Sequence, residues 1–279
     1  MNIPFGHQQL HNRYCFEGEL ELVTALRISS GNASDETDAP FIRTFDKTPY
    51  IPGSSLRGAI RSEVERILAS VGKATAGLQS CTLFEKDCCA EKARKFLHEF
   101  DKDERNQDIH EKNTKNERIA AFAEKELCDV CKLFGSTVYA SRLTIEDALP
   151  VGMEGKEIPT HVRDGVGIDR DTGAAKDGAK FDYEVIEPVK NSLAFLLKMK
   201  AENVTDNDKK LLNLILSLLK HGLHVGGKRA GGLGEIKLRE VAKKFYKVTG
   251  FEDPNSLWAA ITRGKEIHNS IEWKEGVLC

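Results

Sequence analysis

Val225-Gly226-Gly227-Lys228-Arg229-Ala230-Gly231-Gly232-Leu233-Gly234 is the stretch on which the reading of this chain turns. It sets five glycines and two adjacent cations between a leucine-rich segment and the strand-like Leu233-Gly234-Glu235-Ile236-Lys237-Leu238. Upstream, Asp206 can cap a helix whose apolar stripe is Leu211, Leu212, Ile215, Leu218 and Leu219, with Gly222 as its stop. Glycines lack Cβ, so their backbone N–H groups can approach a ligand closely, and Lys228 and Arg229 make that ligand an anion. A flexible cationic turn is the plain alternative.

Working outward from this helix–loop–strand unit, the rest of the chain falls into a readable order. Residues 16–28 alternate, with Leu20 and Leu22 on one face and Glu19 and Glu21 on the other, as in a half-buried strand. A polar loop, residues 29–48, leads to Pro49-Tyr50-Ile51-Pro52-Gly53-Ser54-Ser55-Leu56-Arg57-Gly58-Ala59-Ile60-Arg61. There Ser54 or Ser55 can cap a helix reaching about residue 69, buried through Leu56, Ile60, Val64 and Ile67. Residues 72–135 form an irregular, charged insertion that carries cysteines. A strand at 141–145 follows, then a long hairpin at 161–188 with a glycine-rich tip, a strand at 193–199, the capped helix and a last strand at 233–241. Without its insertions the order is βαββαβ, an α+β chain of the ferredoxin-like type. Residues 250–279 form a C-terminal extension, with a short helix expected near Trp258.

Composition narrows the function classes. At 279 residues, 40% hydrophobic and 30% charged, the chain is long enough for one elaborated domain or two small ones. It lacks a run of about 18 apolar residues, which excludes a transmembrane helix. Residues 1–7 lack the charged and apolar regions of a signal peptide, so a cytoplasmic location is expected. The seven cysteines are then thiols or metal ligands rather than disulfides. A formal net charge of −2 gives no global attraction to nucleic acid, so phosphate binding has to come from local patches.

Five motifs in this order resemble the RAMP superfamily of CRISPR-associated RNA-binding proteins, and within it the repeated backbone subunit of type III effector complexes. They are Asp38-Ala39-Pro40-Phe41-Ile42-Arg43, the Ile51–Gly58 turn, Leu133-Phe134-Gly135-Ser136, the hairpin around Arg163-Asp164-Gly165-Val166-Gly167-Ile168, and the late glycine loop. The resemblance covers roughly residues 15–240. It implies that several copies line a guide RNA and grip its backbone, while a projecting hairpin, residues 161–188, interrupts the guide–target duplex. It also implies partners (guide RNA, target RNA, further copies of this chain and other effector subunits) and metal-dependent cutting of the target as part of antiviral defence. Family members without activity exist.

The sites follow from this resemblance and from residue chemistry. The Pro-Gly-Ser-Ser turn offers helix N–H groups and the hydroxyls of Ser54 and Ser55 to a phosphate. Arg57 and Arg61, four apart, share a helix face that can meet a phosphodiester backbone, a solvated polar face being the alternative. In the late loop Gly226, Gly227, Lys228, Arg229 and Gly231 form the second backbone grip, and in the hairpin Arg163 joins Val166 and Ile168, which would wedge between bases. Asp38 matches the family's Asp-small-Pro pattern, unlike Asp35, Glu36 and Asp46, and the resemblance makes it the catalytic carboxylate. With a divalent cation such as Mg2+, it would orient or deprotonate the RNA's own 2′-hydroxyl, leaving a cyclic phosphate. Arg43 stands near as a charge stabiliser.

The CxxC pair Cys128 and Cys131, with Cys81 and one of Cys88 and Cys89, supplies four thiolates for a closed structural Zn2+ site. His98 or His110 could replace one of them, and a redox pair or unrelated core thiols are the alternatives. His221 and His224 would serve a guide-processing endoribonuclease, but at a helix end a histidine cation also simply suits the dipole. A non-catalytic RNA-binding scaffold is the third reading.

Overall fold

The computed structural model describes residues 13–34, 37–82, 85–104, 112–153, 157–189 and 193–248. The C-terminal extension with its expected helix, and the possible ligand His110, lie outside the described residues.

The sheet is built on β1, Arg13–Leu22, in which Tyr14, Phe16, Leu20 and Leu22 are buried. Alternate side chains of a strand face opposite ways, so these four line the core while Glu17, Glu19 and Glu21 face away from it. The strand begins three residues earlier than the alternation suggests and stops at Leu22 rather than 28. The amides of Val23 and Thr24 both turn to the carbonyl of Glu235, and this takes the chain out of the ladder. Beyond it only isolated bridges remain, Leu26 with Ile186 and Ser29 with Phe41.

Helix α1, Gly53–Val71, follows, then α2 (Lys73–Ala76), α3 (Cys89–Glu104), α4 (Lys112–Glu126), α5 (Asp129–Phe134), and the strands β2 (Leu143–Ile145) and β3 (Pro150–Val151). The hairpin strands are β4, Thr160–Ile168, and β5, Ala175–Ile186. Next come β6 (Ala194–Glu202), α6 (Asp206–His221), β7 (Leu223–His224), a 3-10 turn at Arg229–Gly231 and β8 (Glu235–Val248). All pairings are antiparallel, in the order β2-β6-β1-β8-β7, with β3 also on β6. Counting only β1, α1, β2, β6, α6 and β8 leaves βαββαβ with the strand order second-third-first-fourth. That is the ferredoxin-like α+β arrangement.

The two long helices begin differently from the sequence expectation. Neither Ser54 nor Ser55 caps α1. Pro52 precedes it without a side-chain cap, and the Asp147 carboxylate accepts the Gly53 N–H at 2.7 Å. A carboxylate there satisfies an orphan amide and opposes the positive end of the helix dipole. Gly53 lies so close to the carbonyl of Ile145 that a Cβ would collide with it. The buried stripe of α1 is Leu56, Ala59, Ile60, Val64 and Leu68, with Ile67 at its margin. In α6 the cap is Thr205 rather than Asp206: its hydroxyl accepts from Asp208 N–H, and the Asp208 carboxylate takes Thr205 N–H at 2.8 Å. This capping box commits Asp208 to the interior, where Arg142 meets it at 2.9 Å with 4% and 2% of the two side chains exposed.

The insertion is helical rather than irregular. Among many charges, α3 turns Cys89, Ala93, Phe96 and Leu97 inward, and α4 turns Ile119, Phe122 and Ala123 inward. Phe96 and Phe122 stack at 4.3 Å between centroids, and this pairing, absent from either segment alone, gives the helices their common core. Among the described residues no helix is long and apolar enough to cross a membrane.

Candidate functional site

Three separate segments meet at the base of the hairpin. The glycine loop is stapled at both ends to the chain just after β1: Gly234 N–H donates to the Ala25 carbonyl at 2.8 Å and Gly227 N–H to the Arg27 carbonyl at 2.9 Å. Gly226 and Gly234 have φ of 81° and 86°, and a Cβ on either would collide with backbone, the Arg27 carbonyl for one and the Val225 carbonyl for the other. Lys228 is left-handed at φ 60°, and Lys228 and Arg229 are both exposed. The loop is therefore shaped by its own framework. Lys228 Nζ lies 4.1 Å from the Phe181 ring centre and 5.5 Å from that of Tyr183, while Arg27 stands 5.1 Å above Tyr183. These cation–π contacts seat the loop on one face of β5.

The opposite face of β5 carries Asp182 and Glu184, and the loop after β1 runs along it. Asp38 N–H donates to Asp182 Oδ1 at 2.7 Å, and Asp182 N–H returns a bond to Asp38 Oδ2 at 3.1 Å. The Thr37 hydroxyl donates to the same Asp182 oxygen at 2.6 Å. That hydroxyl first, and then the Asp38 amide, hold the Asp182 carboxyl below its ordinary range. Two residues along, Glu184 accepts Phe41 N–H at 2.7 Å and Arg43 at 2.5 Å. Burial pushes the Glu184 carboxyl up, but the Phe41 amide, Thr160 and Arg43 together bring it below the usual value. Arg43 is thus tied to Glu184. Between this loop and β3–β4 lies a cleft of ≈790 Å3 whose walls include Arg43, Glu184, Thr160, Met153 and Ile158. Asp38 itself is exposed at the surface.

Arg57 and Arg61 do share a face of α1, and that face meets the end of α5. Arg57 donates to the Phe134 carbonyl. Arg61 pairs with Glu65 at 2.8 Å and donates to the Gly135 carbonyl at 3.3 Å and to Cys131 Sγ at 3.2 Å. Arg61 thus makes three hydrogen bonds inside the protein, while the half-buried Arg57 makes one. The N-terminus of α1, which the sequence offers to a phosphate, is held by Asp147, with Ser54 exposed and Ser55 half-buried beside it.

On the hairpin, Arg163 pairs with Glu187 at 2.6 Å. Val162, Val166 and Ile168 expose 43%, 47% and 57% of their surface, an apolar stripe facing outward. The tip turns on Asp169, whose carboxylate takes the amides of Asp171 and Thr172.

The cysteines converge. The sulfurs of Cys81, Cys89, Cys128 and Cys131 all lie within 4.8 Å of one another. Cys88 is also buried but lies outside this group, so geometry selects Cys89 of the two neighbours. His98 is exposed on α3 and does not join it. Cys128 is the N-cap of α5, its sulfur accepting Cys131 N–H at 3.4 Å, and its own amide donates to Cys89 Sγ at 3.2 Å. Cys81 and Cys131 sulfurs stand 3.7 Å apart. Zn–S bonds of about 2.3 Å at tetrahedral angles place sulfurs about 3.8 Å apart, so this donor set fits a four-thiolate ion. Hydrogen bonds from neighbouring thiols, Cys128 first, drive the Cys81 thiol strongly down and bring Cys89 to about 7. Cys131 is pushed up, first by Cys128. Cys128 is also raised: its bond with Cys131 lowers it, but Cys81, Cys89 and burial outweigh that.

His221 bonds the Ser217 carbonyl at 2.8 Å at the end of α6, and His224 sits opposite Glu235 in the β7–β8 pair. Sequence reasoning missed Thr37, Arg27, Phe181, Tyr183 and Asp182. The alternation Phe181-Asp182-Tyr183-Glu184 contained the signal of a strand whose two faces have different chemistry.

The family pattern of the RAMP superfamily matches residues 19–237. The chain belongs to the RAMP superfamily. The match opens inside β1 and closes inside β8, so the RAMP region takes in the end of β1, the start of β8 and everything between them, including the cysteine cluster, the hairpin and the glycine loop. Membership points to a CRISPR-associated RNA-binding subunit that works with other CRISPR proteins. No curated protein matches the chain.

Proposed function

We propose that this RAMP protein is the repeated backbone subunit of a cytoplasmic type III CRISPR effector complex, binding guide RNA as a multi-copy filament and cutting complementary target RNA at regular intervals. The observation that carries this reading is the convergence on β5, which has the cationic glycine loop on one face and the Asp38 loop on the other. A single strand of the hairpin thereby links a backbone grip, a wedge and a carboxylate.

In this reading Lys228 and Arg229 contact guide phosphates, with the amides of the glycine loop beside them. The grip is independent of sequence, as suits a protein whose specificity comes from base pairing with the guide. Val166 and Ile168 enter the duplex and unstack it. Arg57 and Arg61, which tie α1 to the end of α5, contact the guide backbone with the donors that remain to them, Arg57 above all. Cys81, Cys89, Cys128 and Cys131 hold a structural Zn2+ whose four protein ligands leave no open position for chemistry.

Target cutting is an in-line attack by the 2′-oxygen on the adjacent phosphorus. The 2′-O–P bond forms, the P–O5′ bond breaks, and the departing 5′-oxygen takes up a proton. A 2′,3′-cyclic phosphate and a 5′-hydroxyl result. Asp38 accepts or orients the 2′-hydroxyl proton from its exposed position. A divalent cation such as Mg2+, when bound, would neutralise charge developing on the phosphate oxygens.

Sequencing the RNA that copurifies with the chain tests the filament. Short RNAs with a shared repeat-derived end, protected over a length needing several copies, are expected; absence of enriched RNA overturns the reading. The Asp38→Ala variant, assembled on the same guide, tests the cutting. Full-rate cleavage by that complex would leave a non-catalytic scaffold.

A further inference from the structure

We infer that Asp182 is the positioning residue for Asp38, fixing the cleaving carboxylate to the wedge hairpin; this rests on the cleavage reading proposed above. The two residues are 144 apart in sequence and hold each other through two hydrogen bonds of opposite direction. Asp38 is exposed, in a loop outside the main sheet, where an aspartate side chain would ordinarily sample several rotamers. Asp182 N–H fixes one carboxylate oxygen of Asp38, and Asp182 Oδ1 fixes its backbone. Among the described residues Asp38 Oδ1 has no hydrogen-bond partner, which leaves one exposed oxygen available to a substrate while the other anchors the group. Asp182 Oδ1, by contrast, is already occupied by the Thr37 hydroxyl and the Asp38 amide, so its task is to hold.

The tie repeats along the strand. Glu184, on the same face of β5, takes the Phe41 amide, and Glu184 N–H donates to the Ala39 carbonyl at 3.0 Å. β5 is itself anchored in the core through Val185 and Ile186 and is paired along its length with β4, which bears Val166. Asp38 and the wedge therefore form one body, and the cut phosphate keeps a constant offset from the interrupted base pair. Holding a reacting group within an ångström of its productive position is worth up to about a hundredfold in rate.

The test is single-turnover and steady-state cleavage by the full chain assembled on guide RNA, with guide protection as the assembly control. Asp182→Ala keeps the main-chain bond to Asp38 Oδ2 but releases the Asp38 amide and the Thr37 hydroxyl, and should lower kcat by about tenfold with KM for target unchanged. Asp182→Asn, which keeps the accepting Oδ1, should recover most of that rate, and Thr37→Val should lose part of it. If Asp182→Ala does not assemble, Thr37→Val reads the same tie. Wild-type kcat in Asp182→Ala (or in Thr37→Val in that case), or an Asp182→Asn rate as low as that of Asp182→Ala, overturns the inference even if Asp38→Ala abolishes cutting. Full-rate cutting by Asp38→Ala removes the cleavage reading itself, and with it anything for Asp182 to position.

Discussion

Arg61 donates to the sulfur of Cys131 at 3.2 Å, and the same guanidinium reaches the Gly135 carbonyl and Glu65. One side chain on α1 thus links the helix packed against the sheet to the cysteine cluster at the root of the insertion. Outer contacts to a metal-bound sulfur offset thiolate charge and orient the ligand. Their loss typically costs ten- to a hundredfold in metal affinity. Arg61→Ala should weaken zinc retention by about that factor in chelator competition, while Arg61→Lys, a single point donor, should recover only part.

The two neighbouring cysteines should behave differently. Cys89→Ser is expected to abolish stoichiometric zinc and to lower the melting temperature, whereas Cys88→Ser retains the metal. Zinc analysis of both purified variants checks this, and equal loss would show that the cluster is not the ligand set. Binding releases thiol protons, so zinc affinity should fall with acidification, Cys89 contributing as pH drops through about 7.

Glycines of the late loop fall into two kinds. Gly234→Ala puts a Cβ against the Val225 carbonyl at a positive φ, so a stability loss of roughly 2 kcal/mol or more is expected. At Gly231 φ is not positive and a Cβ meets nothing within 4 Å, so Gly231→Ala should unfold like the wild type. Thermal unfolding of the two variants separates a shaped loop from a loose one.

Lys228→Ala and Arg229→Ala should weaken guide binding without loss of fold. Each phosphate contact removed should flatten the slope of log affinity against log salt by about 0.7 for a single strand. An unchanged slope in both variants would place the RNA elsewhere on the surface.

Acid sensitivity should include Glu184. Its folded carboxyl titrates below its ordinary value of 4.5, so it binds protons less readily when folded than when unfolded. The stabilisation is complete above that value and disappears as pH falls through the lower folded one. Glu184→Gln should be less stable at neutral pH and show a shallower acid limb; an identical acid limb would mean that Arg43 and Phe41 do not depend on the charge.

Local pattern was enough for much of this protein. The β1 alternation, the α1 and α6 stripes, the hairpin and the obligatory glycines are all short-range, because side-chain period and φ are properties of a few consecutive residues. The CxxC spacing likewise announced a thiolate cluster. Local pattern passed over the helices of the insertion: α3 has an apolar stripe as marked as that of α6, set among charges, whereas α4 is weakly patterned and gains its contact when Phe96 stacks on Phe122. Local pattern also placed helix caps by residue type alone, and so passed over Asp147, 94 residues from the amide it caps.

What only the tertiary structure decided are the pairings across the chain. Cys89 rather than Cys88 joins the cluster because the start of α3 turns that sulfur toward Cys128. Arg61 meets a sulfur and two carbonyl-bearing or acidic neighbours instead of solvent because α5 ends against α1. Asp38 gains its partner from a strand that begins far downstream, since a hydrogen bond depends on distance in space and is blind to distance along the chain.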